Sequence, residues 1–194
     1  MHKNAIVLHG RPGKEEYYDL NQASASNAHW LAWLQNALLA NNIHCYNPEV
    51  PLAFDPQYEL WRKEFERGDI NQDTILVGHS TGAGFIIKWM CENSDRIVSK
   101  IVLVAPYFDP FGEIEEKEFF KFQFDRDLSK RTKHGVTIFH SDNDMEDVQI
   151  STKQLLKEVD DMNYVEFHEY GHFCKEWSMN TDEFPELLEE CLKS

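Results

Sequence analysis

Nowhere in its 194 residues does this sequence run to 18 consecutive apolar positions, so no membrane-spanning helix is expected. Basic residues are scarce. Against 34 Asp and Glu there are 19 Lys and Arg, a formal charge of −15. Phosphate recognition needs a basic surface, so nucleic-acid binding is disfavoured, and so is attachment to anionic membranes. Most of the acidity is expected to be a solvated face, as in Glu113-Ile114-Glu115-Glu116. The four cysteines (Cys45, Cys91, Cys174, Cys191) lie far apart and form no C-x-x-C. That spacing gives neither a disulfide framework nor a structural zinc site. After Met1-His2-Lys3-Asn4 the apolar run is too brief for a signal peptide, and a cytoplasmic location is expected. No repeat, low-complexity tract or Gly/Ser linker divides the chain, so residues 1–194 are expected to form one domain. Apolar residues make up 42% of the chain, a globular composition with enough length to bury roughly 70% of the unfolded surface.

What the sequence does have is alternation. Ala5-Ile6-Val7-Leu8, Thr74-Ile75-Leu76-Val77, Ile101-Val102-Leu103-Val104 and Val136-Thr137-Ile138-Phe139 read as strands buried on both faces. Ile43 to Tyr46 and Tyr164 to Phe167 add two more. Helical patterns fall at His29–Leu39, Tyr58–Arg67, Gly82–Glu92, Ile150–Val159 and Thr181–Leu192. Thr181 or Asp182 is the expected cap of the last helix. His9 to about Ser26 reads as a polar loop, and Asn41-Asn42 as a helix stop. This order predicts an α/β fold, a mostly parallel sheet of about six strands with helices on both faces. In such sheets chemistry collects at the carboxyl ends of the strands.

Four segments at those ends carry candidate residues. Gly78-His79-Ser80-Thr81-Gly82 is a G-x-S-x-G sequence lying between a strand and a helix. The sharp turn expected there would expose Ser80 as a nucleophile and put the Thr81 amide at a helix N-terminus, where an oxyanion would form. Gly84 is expected to let that helix sit closely on the sheet. His140-Ser141-Asp142-Asn143-Asp144-Met145-Glu146-Asp147-Val148 holds an acid able to orient a histidine. Asp144 is the expected one, with Asp142 and Asp147 as alternatives. Gly171-His172-Phe173 offers His172 as the base, with His168 its rival. His9-Gly10-Arg11-Pro12-Gly13 offers the amide of Gly10 or of Arg11 as a second oxyanion donor, while Pro12 has none to give. The order Ser80, Asp144, His172 is the chain order of α/β-hydrolases.

These residues, together with Ile6-Val7-Leu8-His9-Gly10, His29-Trp30-Leu31-Ala32-Trp33-Leu34 and Ser141-Asp142-Asn143-Asp144, carry a resemblance. The chain resembles the small serine hydrolases of the α/β-hydrolase superfamily related to retinoblastoma-binding protein nine. The resemblance implies a compact hydrolase with little or no lid, a Ser-Asp-His triad and no cofactor. Asn143-Asp144-Met145 departs from the Asp-Asp-Pro often found in that family's acid loop. The L-x-C-x-E motif is also missing; His172-Phe173-Cys174-Lys175-Glu176 has only its second half. Retinoblastoma binding is therefore not implied.

The leading expectation is hydrolysis of an ester, or an amide or thioester, of a small-molecule substrate through an acyl-serine. The alternative is a degenerate hydrolase fold serving as a binding module. Phe119, Phe120, Phe122 and Phe124 are candidates for an acyl pocket, or else for core. A metal site from His140, Asp142 and Asp144 has no supporting ligand spacing.

Overall fold

Each apolar run becomes a strand of one sheet in the computed structural model, which describes residues 3–175 and 179–193. Met1, His2 and Glu176, invoked above, lie outside them. The strands are β1 (Asn4–Leu8), β2 (His44–Tyr46), β3 (Thr74–His79), β4 (Lys100–Val104), β5 (Val136–Ser141) and β6 (Asn163–Phe167). They lie in the order β2-β1-β3-β4-β5-β6, and every pairing is parallel. The inner strands β1, β3, β4 and β5 are buried at every position, which is why their sequences are continuous and apolar rather than alternating.

The helices are α1 (Lys14–Tyr18), α2 (Leu31–Ala40), α3 (Tyr58–Phe65), α4 (Thr81–Glu92), α5 (Glu146–Glu158) and α6 (Pro185–Leu192). On one side of the sheet α2 packs on α6 and on β1 and β2. On the other, Tyr58, Trp61 and Phe65 of α3 meet Phe85 and Trp89 of α4, with the Phe65 and Trp89 rings 5.2 Å apart. No helix among the described residues is long and apolar enough to cross a membrane.

Three segments differ from expectation by a helical turn or more. The loop from His9 to Ser26 contains α1, whose Glu16 carboxylate accepts the Gly13 amide at 3.1 Å in place of a side-chain cap. Helix α5 starts a turn early, at Glu146, because Glu146 and Asp147 suit the positive end of the helix dipole. Helix α6 starts late. Pro185 fits its first turn and Phe184 precedes it, while the Thr181 hydroxyl accepts the Glu183 amide instead of capping the helix.

The strand order reverses direction between β1 and β3, and a ligand crevice forms where the chain leaves such neighbours in opposite directions. Leu8 is paired with Gly78. Two residues beyond this pair, just past the strand ends, come Gly10 and Ser80.

Candidate active site

Ser80 occupies the turn from β3 into α4 with φ 53° and ψ −122°, a conformation that side-chain-bearing residues rarely adopt. It is fixed from several sides. Its amide donates to the Val104 carbonyl at 2.9 Å, and its carbonyl accepts the amides of Ala83, Gly84 and Tyr107. The flanking glycines answer to close approach. A Cβ on Gly82 would lie 2.7 Å from the Leu8 carbonyl oxygen and closer still to that of His9; one on Gly78 would be 2.6 Å from Ala83 Cα. Backbone atoms cannot step aside as a flexible side chain would. Gly82→Ala is therefore expected to cost about 3 kcal/mol, the upper end for overpacking, read as a fall in the urea midpoint; an unchanged midpoint would refute the close approach. Gly84 differs from expectation. It makes room for the Tyr107 carbonyl and the Phe120 ring, so it seats the helix against the segment after β4 rather than against the sheet.

Ser80 lines a cleft of about 410 Å³ together with Gly10, Arg11, Thr81, Tyr107, Met145, Asp147 and His172. Thr81 opens α4, so its amide belongs to the first turn, which has no intrahelical acceptor. A Cβ on Gly10 would stand 3.0 Å from Ser80 Cβ. The buried His9 accepts the Val50 amide at Nε2 and so donates from Nδ1 to the Gly10 carbonyl at 2.7 Å. Burial lowers its pKa below the ordinary histidine value. The Arg11 guanidinium reaches Glu113 at 3.4 Å across the mouth of the cleft.

The candidate acids and bases sort into pairs. His172 Nδ1 donates to Asp144 at 3.0 and 3.2 Å, and the Asp144 side chain is 0% exposed. The rivals have found each other: His168 Nδ1 meets Asp142 at 2.5 Å, with the His168 side chain 80% exposed. The Asp142 carboxylate raises the pKa of His168. The Glu169 amide and then His168 lower that of Asp142. Asp147 lines the cleft from the first turn of α5, and its carboxylate accepts the Val148 amide at 2.8 Å. His140 lies against Tyr164, ring centroids 5.8 Å apart. Among the described residues no cluster of three or more His, Cys, Asp or Glu is placed to hold a metal ion.

Sequence reasoning missed what joins these loops. The Ser141 hydroxyl accepts the Tyr170 amide, Asp142 that of Glu169, and Asn143 Oδ1 that of Gly171, at 2.8 to 2.9 Å. Ser141 in turn donates to Asn143. One short polar stretch thus grips the strand-to-histidine loop residue by residue, and its fourth member, Asp144, receives the histidine. The density of short polar side chains after β5 was the available signal, since such groups bond readily to nearby backbone. His79 was also passed over as a spacer in the serine turn. Its Nε2 donates to the His172 carbonyl at 2.9 Å.

The phenylalanines lie elsewhere. Phe119 is fully buried against Tyr58 and Trp61, while Phe120, Phe122 and Phe124 gather on Phe108. Phe119 is core and the other three pack half-buried against it, while of their segment it is Tyr107 and Glu113 that reach the cleft. Desolvation pushes the Cys45 and Cys191 thiols up to about 12, which disfavours their thiolate forms.

Comparison with known proteins agrees with this architecture. YdeN of Bacillus subtilis (strain 168) is 25% identical over 181 residues, covering 91% of this chain and 88% of its own. The crystal structure of the B. subtilis ydeN gene product superposes with a TM-score of 0.78 at 22% identity, over 96% of this chain and 95% of that one. Est1E from Butyrivibrio proteoclasticus, solved with ferulic acid bound, gives 0.59 at 12% identity over 96% and 85% of the two chains. A monoacylglycerol lipase of Paleococcus ferrophilus gives 0.59 at 15% identity over 96% and 93%. The sheet order and these likenesses make the fold that of the α/β-hydrolases. A family profile described as serine hydrolase spans residues 21–186, and the chain belongs to that family.

Proposed function

We propose that this hydrolase cleaves the ester of a small substrate through an acyl-Ser80 intermediate. The observation that carries the reading is the buried Asp144–His172 pair opening into the same cleft as the strained Ser80 turn. Ser80 Oγ attacks the ester carbonyl while His172 Nε2 takes its proton. Asp144 holds the opposite nitrogen, fixing the tautomer and stabilising the imidazolium. The oxyanion accepts the Thr81 amide and a second amide from the His9–Pro12 loop. Arg11 is our choice for that second donor. With the Gly10 carbonyl tied to His9, the trans peptide turns the Arg11 N–H the other way. Collapse of the tetrahedral adduct expels the alcohol, which receives its proton from His172. Water then enters by the reverse roles and releases the acid.

A cleft near 410 Å³ lies toward the small end of ligand sites, and its apolar lining comes from Pro12, Ala25, Ala28, Leu31, Tyr107 and Met145. A small acyl ester suits those walls. The reading includes neither a nucleic-acid partner nor membrane insertion. Est1E and the monoacylglycerol lipase lend the ester reading the support of analogy alone. The test is a fluorophosphonate reagent. We expect one adduct in the intact mass, mapped to Ser80 by peptide sequencing. An unchanged mass, with the fold verified by circular dichroism, would leave the binding-module reading in its place.

A further inference from the structure

The backbone that carries His172 is under strain. Gly171 has φ 52° and Phe173 φ 55°. For a phenylalanine this left-handed region is strained and persists only where the surroundings over-determine it. Two ring N–H groups from distant elements do so. Trp30 Nε1 donates to the Phe173 carbonyl at 3.1 Å, and His79 Nε2 donates to the His172 carbonyl at 2.9 Å. A carbonyl can only accept, so the His79 proton sits on Nε2. The His79 ring also backs the His172 imidazole, centroids 4.9 Å apart and planes tilted 41°. Trp30 meets His79 edge-on at 5.6 Å. Burial first, and then the neighbouring His172, hold the His79 pKa well below the ordinary value, so it stays a neutral donor. His79 is also the residue before Ser80. One side chain therefore ties the nucleophile's turn to the base's loop.

We propose that His79 is a positioning residue: through its Nε2–H bond to the His172 carbonyl and the ring behind the imidazole, it sets where the base stands relative to Ser80. The inference rests on the Ser80–His172 reading above. Packing alone would ask only for a ring of that size, whereas positioning asks for the N–H as well. An error of about 1 Å in the placement of a reacting group costs about 10²-fold in rate.

The experiment compares His79→Phe, which keeps a ring without the donor, with His79→Gln, which keeps a donor without the ring. Both are assayed on p-nitrophenyl acetate beside Ser80→Ala. We expect His79→Phe to lose about 10²-fold in kcat with KM within about twofold, and His79→Gln to recover most of the loss. Should His79→Phe not fold, His79→Met takes its place as the variant without the donor. Wild-type kcat in the donor-less variant, or a Gln variant no better than it, overturns the proposal while leaving the serine reading standing. Wild-type turnover in Ser80→Ala overturns both.

Discussion

Ser80→Ala is expected to lower turnover of p-nitrophenyl acetate by roughly 10⁵- to 10⁶-fold, the loss seen when a triad serine is removed, with no loss of thermal stability. The stability half of the expectation comes from the turn itself. Ser80 is held through its backbone, by the Val104 carbonyl and by the amides of Ala83, Gly84 and Tyr107, and alanine keeps every one of those bonds. Alanine also keeps the Cβ that faces Gly10. What leaves is one oxygen atom. The measurements are steady-state kinetics, the fluorophosphonate adduct and a melting curve. A variant that still hydrolyses the ester at a tenth of the wild-type rate would place the nucleophile elsewhere, and one that melts well below wild type would mean that the hydroxyl supports the fold.

Asp144→Asn should cost about 10⁴-fold in kcat, with KM little changed. An amide in that place can present its NH₂ to His172 Nδ1 and so favour the tautomer whose proton sits on Nε2, where the base must be bare to take the serine proton. Asp142→Asn is the contrast. Asp142 bonds to an exposed His168 and to the Glu169 amide, and an asparagine oxygen still accepts the amide bond. Its kcat is expected within about threefold of wild type, the small change suited to an exposed ion pair. Kinetics of the two variants therefore decide which carboxylate serves the histidine. Equal losses would mean that the loop as a whole matters and no single acid does; a larger loss at Asp142 would reverse the assignment.

The parts of this molecule that were legible in the sequence are those set by short-range periodicity. Val77 and Val104 lie in strands buried on both faces, and a continuous apolar run has little other use in a chain of this length. The G-x-S-x-G turn could be read because its glycines sit in a fixed local pattern between a strand and a helix, and Gly78 answers to Ala83 close by in the chain, although the contact that demands Gly82 comes from Leu8 and His9. Boundaries were less visible. Asp147 sits in a helix because its carboxylate suits an N-terminal turn, a preference too weak to outvote a loop-like composition in sequence alone. The choice between Asp142 and Asp144 needed the register of β5 against β6, which pairs Ser141 with Phe167 and so fixes which side chains face the histidine loop. The role of His79 needed more still, the meeting of residues 93 positions apart. The Phe119–Phe124 cluster carries the same composition whether it walls a pocket or fills a core, and only packing decides.

The site is divided along the chain in a way that bears on its biosynthesis. Gly10 and Ser80 belong to the first half, while Asp144 and His172 follow β5 and β6, the last strands made. A nascent chain emerging N-terminus first can form the serine turn well before His172 exists. Until β6 has paired and the Ser141–Asn143 grip has closed, Ser80 is an ordinary alcohol on a bent backbone. On the proposed mechanism, reactivity arrives with completion of the sheet rather than before it, and a truncated or half-folded product carries Ser80 in harmless form.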